Sequence, residues 1–476
     1  MTLEQQSQNS LLDSFNETRN TTLQLVKNLE QGDFGVQTAV FMSPPKWHIG
    51  HVSWLNEIVL SKTQQDYKFF SDELSEYLNS YYNQFGKPHD KSKRGLMSRP
   101  TVDKILKYFD VITDRVRQVI SKPLDKETAY LFTMAIHHEC QHQELLVYDL
   151  QHLLGDNYKP TKKNASPIPS NKEKKSIKID GGLYNMGYSG KDYCYDIELP
   201  EHKTYLNDYQ IDNFLTSNAE YLKFMNEGGY NDYSFWLSDG WDTVKKNEWN
   251  SPMYWEIDGN EWITRDFVGN RKIDPNEPVC HVSFYEASAY CKWANKRLPT
   301  EAEWEKAALW NDEKEIKTDF PWGNEKPTEL HANLLESNIW NCSDVGSYEN
   351  GKSNYGCYQM IGDVWEWTLS EFVGYPGFKS GFDEYNDKWF TNQKVLRGGS
   401  FGTPSKSIRG SYRNFFRLDE RWLISGFRCV EDIKIFFAKT RAKYFLESNH
   451  ISSFSKFDSF NEDSICEIEN LCEFSV

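Results

Sequence analysis

Cysteine is scarce and scattered: nine residues in a chain of 476, an odd number, with no Cys-x-x-Cys pair. That excludes a disulfide frame and fits buried free thiols in a reducing compartment. Positive charge is also short. Lys and Arg number 54 against 70 Asp and Glu, for a formal charge of -16. No nucleic-acid partner is expected, because phosphate contacts need clustered cations. No run of 18 apolar residues occurs, so no membrane span is predicted. The opening MTLEQQSQNSLLDSF has no basic stretch followed by an apolar one. It reads as the start of a cytoplasmic protein and not as a secretory leader. No repeat of fixed period is visible. What the chain has in plenty is aromatic residues, 15% of the total with 16 Trp among them. That excludes disorder, and the length suits two or three domains.

Apolar spacing makes roughly the first 155 residues helical. Leu12, Phe15, Leu23, Val26 and Leu29 suit one helix. Pro44 and Pro45 stand where a second begins, because proline is tolerated in a first turn. Trp47, His51, Trp54, Leu55 and Ile58 give that helix one face. A third fits Val102 to Ile120 and a fourth Lys126 to about Leu154. Together they predict a four-helix bundle over residues 1–157. Residues 158–178, with Pro160, Pro167, Pro169 and seven lysines, read as a linker. Over residues 179–434, short strands and turns rich in Gly, Trp and Asp predict an irregular α+β domain. Ser283 with Glu286, and Thr300 with Glu303, form capping boxes that start two helices inside it. Residues 435–476 form a tail to which no role is assigned, with one helix expected over Ile435 to Phe445.

Chemistry concentrates in His138-Glu139-Cys140-Gln141-His142. Histidines at i and i+4 of a helix share a face, with Cβ atoms about 5–6 Å apart, which suits adjacent positions around a metal. A third ligand is sought upstream, in Trp47-His48-Ile49-Gly50-His51. His51 lies on the apolar stripe of its helix. A buried imidazole needs a partner there, since an unsatisfied polar group costs about 1–3 kcal/mol. Gly50 permits close approach of a neighbouring segment. His51, His138 and His142 are the expected trio inside the bundle; His48 and His137 are further candidates, ranked as supporting or packing residues. Three neutral imidazoles with open positions suit Zn(II) or Fe(II) alike. The same five residues also spell H-E-x-x-H, the zinc-peptidase pattern with Glu139 as general base. That reading finds no downstream ligand motif around His152 or His202, and it leaves the aromatic second half unexplained.

WHIGH and HHECQHQE resemble the metal-binding motifs of DinB-like bundle domains. PVCHVSFYEASAYCKWANKRLPTEAEWEKAA, GCYQMIGDVWEWT, VLRGGSF and SGFRCV resemble the sulfatase-modifying-factor family, whose fold is C-type-lectin-like. In this order, across about residues 10 to 432, the halves resemble the ergothioneine-biosynthesis sulfoxide synthases (EgtB-type). The resemblance implies a non-haem iron oxidoreductase. Such an enzyme uses Fe(II) and O2 to join a thiol amino acid to the imidazole of hercynine, giving hercynylcysteine sulfoxide. Fe(II) is preferred over Zn(II) because oxygen activation needs a redox metal. The resemblance also implies the ligands, His51, His138 and His142, and places Gln141 against the hercynine side chain. It assigns hercynine's carboxylate and ammonium to the stretch Tyr412-Arg413-Asn414-Phe415-Phe416, with Asn414 foremost. Formylglycine-generating enzymes share the second domain, but their two active-site cysteines have no counterpart in Ile408–Arg417, where Cys429 is the nearest. The lectin-like fold is expected to serve as a substrate wall.

Three tyrosines resemble the family's donors of a proton or electron: Tyr375 in GYPGF, and Tyr81 and Tyr82 in NSYYNQFG. Tyr375→Phe is expected to divert the reaction toward thiol dioxygenation. Phe416 stands where γ-glutamylcysteine users carry Asp, and the RNFF, RW and SGFR elements, with Arg413, Arg421 and Trp422, resemble the cysteine users. Free cysteine is the expected thiol, its carboxylate paired by Arg94 or Arg99, with γ-glutamylcysteine the alternative. Near alternatives are the ovothiol-pathway enzymes, which use histidine and usually carry a methyltransferase domain, and the selenium-using enzymes of selenoneine synthesis. No Gly-rich methyl-donor loop follows residue 432. A zinc hydrolase and a non-enzymatic lectin-like binding protein are more distant. The resemblance leaves room for a structural Ca2+ in the second half, and the expected partners are small molecules only.

Overall fold

Caps and apolar faces set the helices of the first half. In the computed structural model, which describes residues 3–80, 82–83, 88–96, 98–161, 167–382 and 385–433, these are α1 (Leu3–Val26), α2 (Pro45–Thr63), α3 (Asp72–Leu78), α4 (Val102–Ile120) and α5 (Lys126–Leu154). Pro45 occupies the first turn of α2. Thr101 caps α4 by accepting the Lys104 amide at 3.3 Å, and Asp125 caps α5 by accepting the Thr128 amide at 2.8 Å. α2 packs on α4 and α5, and α1 packs on both as well. This is the expected four-helix bundle, with short α3 laid against α2. Every residue of α2 from Pro45 to Leu60 is buried, as a central helix requires. α1 stops at Val26, short of the expected Leu29, because the chain turns there. The Leu29 amide bonds the Val26 carbonyl at 3.2 Å, and Asp33 accepts the Glu30 amide at 2.8 Å.

The second half is built from short pieces. They run β1 (Ser176–Ile179), β2 (Gly182–Met186), β3 (His202–Leu206), β4 (Tyr209–Asp212), α6 (Asn218–Asn226), α7 (Ser238–Lys246), β5 (Trp255–Asp258), β6 (Glu261–Arg265) and β7 (Asn270–Lys272). α8 (Phe284–Trp293), α9 (Glu301–Leu309), β8 (Trp310–Asn311), β9 (Ile316–Lys317), β10 (Trp365–Glu371), β11 (Lys394–Arg397), β12 (Asn414–Phe416), β13 (Ser425–Gly426) and β14 (Val430–Asp432) follow. Both expected capping boxes form: Ser283 and Glu286 start α8, and Thr300 and Glu303 start α9. The central sheet has the order β12-β11-β10-β13, antiparallel except where β10 meets β13. Trp365 and Trp367 alternate with Glu366 along β10, and all three are fully buried. Glu366 pairs with buried Arg428 at 2.6 Å.

Parts of the expected linker, residues 158–178, have partners on the second half. β1 already pairs with β4 from Ser176, and Ile168 and Ser170 donate their amides to Ser343 and Asp344. Polar backbone takes partners on the second half as soon as the chain reaches it. The tail, with its expected helix, lies outside the described residues.

Residues 1–431 form one compact unit. Within it, one apolar core runs from Phe15 and Trp54 of the bundle to Trp365 and Phe427 of the lectin-like half. α5 is the seam. Its Glu144 carboxylate accepts from Trp365 Nε1 at 2.6 Å, Thr403 Oγ1 at 2.5 Å and Ser400 Oγ at 3.1 Å. Gln151 meets His281 at 2.9 Å and His152 meets Tyr254 at 2.8 Å.

Candidate metal centre

α2 presents His51 and α5 presents His138 and His142. One ligand-type nitrogen from each lies within 4.8 Å of the other two. Among the described residues no other trio of His, Cys, Asp or Glu converges in this way. Gly50 makes the approach possible on the α2 side: a Cβ there would come within 2.6 Å of Leu78 Cδ2. Leu78, at the end of α3, can therefore sit close enough for its carbonyl to accept from His51 Nδ1 at 2.7 Å. Trp47 and Trp54 stack on the His51 ring at 4.5 and 5.4 Å between centroids.

Burial, then the neighbouring His138, holds His51 well below the usual histidine range. Burial pushes His138 down to about 3 and, with the other imidazoles, holds His142 well below normal. All three are thus neutral, with lone pairs available near neutral pH. His138 Nδ1 is buried without a hydrogen-bond partner, an arrangement that costs stability unless something else meets the imidazole. Three neutral imidazoles fit a divalent transition metal.

The remaining expectations divide. His48 bonds both His142 and Asp149. His137 turns the other way, stacking on Tyr193 at 4.2 Å. Gln141 lies between two tyrosines of the lectin-like half: its amide donates to Tyr412 OH at 3.0 Å, and its carbonyl accepts from Tyr385 OH. The Tyr385 ring is 5.9 Å from His138. Tyr82 is fully buried, packs on Trp54 at 5.6 Å and lies 6.1 Å from Phe382. Tyr81 lies outside the described residues. Arg94 is buried, stacks over Trp47 at 3.3 Å and donates to Ser43 Oγ at 2.8 Å.

Four of the expected residues are engaged elsewhere or face solvent. Glu139 faces α1, where Arg19 pairs with it at 2.8 Å and Thr22 donates at 2.6 Å. A base so engaged points away from the histidines, and the zinc-peptidase reading fails. Tyr375 donates to Glu301 at 3.0 Å, beside Arg413, in a second core cluster that holds none of the bundle. Arg99 is exposed, which leaves Arg94 as the buried cation of that segment. Asn414 spends its side-chain oxygen on the neighbouring Phe415 amide at 2.9 Å; Tyr412, two residues earlier, is the member of that stretch that reaches Gln141. Phe415 stacks on Phe372 at 3.9 Å, and Phe416 meets Trp422 edge-on at 6.1 Å. Arg413 and Arg421 are taken up by Glu301 and Glu286. Cys429 lies 3.5 Å from Cys291, sulfur to sulfur, both buried and free.

A helical bundle bearing three histidines, walled by a lectin-like domain, defines a class, and comparison with known proteins agrees. Residues 14–146 match the DinB superfamily, and residues 161–433 match the sulfatase-modifying factor enzyme 1-like domain. A hercynine oxygenase of Mycobacterium tuberculosis is 30% identical, over 87% of this chain and 97% of the relative. One of Mycolicibacterium smegmatis is 29% identical, over 89% and 99%. A formylglycine-generating enzyme of Mus musculus is 30% identical, over 54% of this chain and 75% of the relative. The chain belongs to the hercynine oxygenase family, enzymes of the oxidoreductase class. No helix among the described residues is long and apolar enough to cross a membrane.

Proposed function

We propose that this enzyme uses Fe(II) and O2 to join free cysteine to the imidazole of hercynine, forming a sulfoxide. The observation that carries the reading is the meeting of His51, His138 and His142 beside Gln141, whose two amide ends are taken by tyrosines of the other domain. The reaction balances: an imidazole C–H, a thiol S–H and O2 give a C–S bond, an S=O group and water. His51, His138 and His142 would hold the iron, which would supply oxygen activation and favour the thiolate form of the sulfur.

The chain's own residues do the rest. Gln141 is a donor and acceptor for hercynine's polar groups, in a site where the Tyr195 ring lies 6.1 Å from Tyr385 and 5.5 Å from Tyr412. Such faces suit a quaternary ammonium. Tyr385, bonded to Gln141, and the buried Tyr82 are the hydroxyls assigned in this proposal to hold or pass a proton. The buried guanidinium of Arg94 suits the thiol's carboxylate. Phe416 offers no acidic partner for a γ-glutamyl ammonium, which favours cysteine over γ-glutamylcysteine.

The test is anaerobic reconstitution with Fe(II), followed by O2 uptake and product mass with hercynine plus each thiol. One iron per chain, and sulfoxide from cysteine, is the expected result. Product only with γ-glutamylcysteine overturns the thiol; product only with histidine moves the enzyme to the ovothiol type. No iron and no uptake overturns the whole reading in favour of a binding protein.

A further inference from the structure

We infer that Asp149 and His48 are positioning residues that hold His142 in the one tautomer able to bind a metal through Nε2, and that they strengthen it as a donor. This rests on the proposed metal role of the three histidines. A carboxylate accepts and does not donate. Asp149 Oδ2 lies 2.8 Å from His48 Nε2, so that nitrogen carries the proton. With His48 neutral, its Nδ1 is a bare acceptor, and it faces His142 Nδ1 at 3.0 Å. His142 must donate from Nδ1, which leaves its lone pair on Nε2.

The three candidate ligands differ in this respect. His51 donates to a neutral carbonyl, that of Leu78, and His138 Nδ1 has no partner. Of the three, His142 is the one connected to a carboxylate. The relay is dry: His48 is 3% exposed and Asp149 2%. Water does not screen the carboxylate, and its charge polarises both rings toward the metal position. Geometry builds the relay from two helices. Asp149 follows His142 by seven residues, two turns along one face of α5, while His48 precedes His51 by three on α2. Asp149 is itself anchored by the Ser43 amide at 2.9 Å, and Ser43 Oγ accepts from Arg94. The relay therefore ends beside the cation assigned to the thiol.

Long-range 15N–1H spectra of the metal-free, full-length protein test the tautomers directly. His48 is expected protonated on Nε2 and His142 on Nδ1, and Asp149→Ala is expected to abolish that preference. Anaerobic Co(II) titration then tests the consequence. Asp149→Ala should weaken Co(II) binding by about 100-fold and shift the visible d–d bands, and Asp149→Asn, which keeps an acceptor oxygen, by about 10-fold. Circular dichroism establishes that each variant folds; should the alanine variant not fold, the near-isosteric Asn variant carries the test. A wild-type His142 protonated on Nε2 overturns the relay. So does a folded variant with unchanged Co(II) affinity and bands. Wild-type protein that takes up neither Co(II) nor Fe(II) defeats the proposed function instead, while the tautomer spectra still decide the relay.

Discussion

Tyr375 and Tyr385 offer a controlled comparison, because each hydroxyl donates to a different kind of partner. Tyr375 donates to Glu301, a carboxylate already held by Arg397 and Arg413. Removing its hydroxyl deletes one bond of a satisfied network, at about 1 kcal/mol. Tyr385 donates to Gln141 beside His138, where a proton has chemical use. Tyr375→Phe is therefore expected to keep the ratio of sulfoxide to cysteine sulfinate. Tyr385→Phe should lower sulfoxide formation by about 100-fold or more, as loss of a general acid does, with iron content unchanged. Product ratios by mass spectrometry decide it, and an unchanged ratio in Tyr385→Phe removes that residue from the chemistry. The three histidines were legible because helical spacing alone puts 138 and 142 on one face and buries 51. Asp149 was legible in principle, two turns beyond His142. Tyr385 was not, since a loop residue distant in sequence reaches the bundle only through tertiary contact.

At the scale of elements, the close contact of α2 and α3 does the most for the site. Gly50 has no Cβ, and an alanine there would meet Leu78 Cδ2 at 2.6 Å and Ile105 Cδ1 at 3.1 Å. One of those side chains must move, and Leu78 carries the carbonyl that orients His51. Gly50→Ala gains helix propensity but overpacks a dense interior, at a cost of about 1–3 kcal/mol. The expected result is a lower melting temperature together with weaker Co(II) binding. A variant as stable as wild type with unchanged affinity would show that Leu78 does not set His51. The ends of α4 and α5 could be read in advance, because Thr101 and Asp125 are strong caps followed by unbroken apolar periodicity. α3 and the sheet β5-β6-β7 could not. Seven residues give little periodicity, and β6 is only half-buried along most of its length, so it lacks a clean in-out alternation.

For the molecule as a whole, the sequence reads as two domains joined by a Lys- and Pro-rich linker, and the two halves pack into one compact unit over residues 1–431, which a linker alone does not impose. Buried polar side chains account for the packing. Glu144 leaves the bundle's last helix to take donors from Trp365, Ser400 and Thr403 of the other half and from Tyr148 of its own. Trp365 and Tyr148 supply two of those donors along with their apolar bulk. The net charge of -16 bears on solubility and not on this joint. A carboxylate with four buried donors cannot be removed cheaply, since each orphaned donor costs about 1–3 kcal/mol. Glu144→Ala is therefore expected to lower unfolding stability by roughly 3 kcal/mol or more, although the residue contacts none of the three histidines. In urea, wild-type helix signal at 222 nm and tryptophan fluorescence should fall together, because Trp365 sits on the seam. Two separate wild-type transitions would mean that bundle and lectin-like half fold independently, and that the seam contributes little to either.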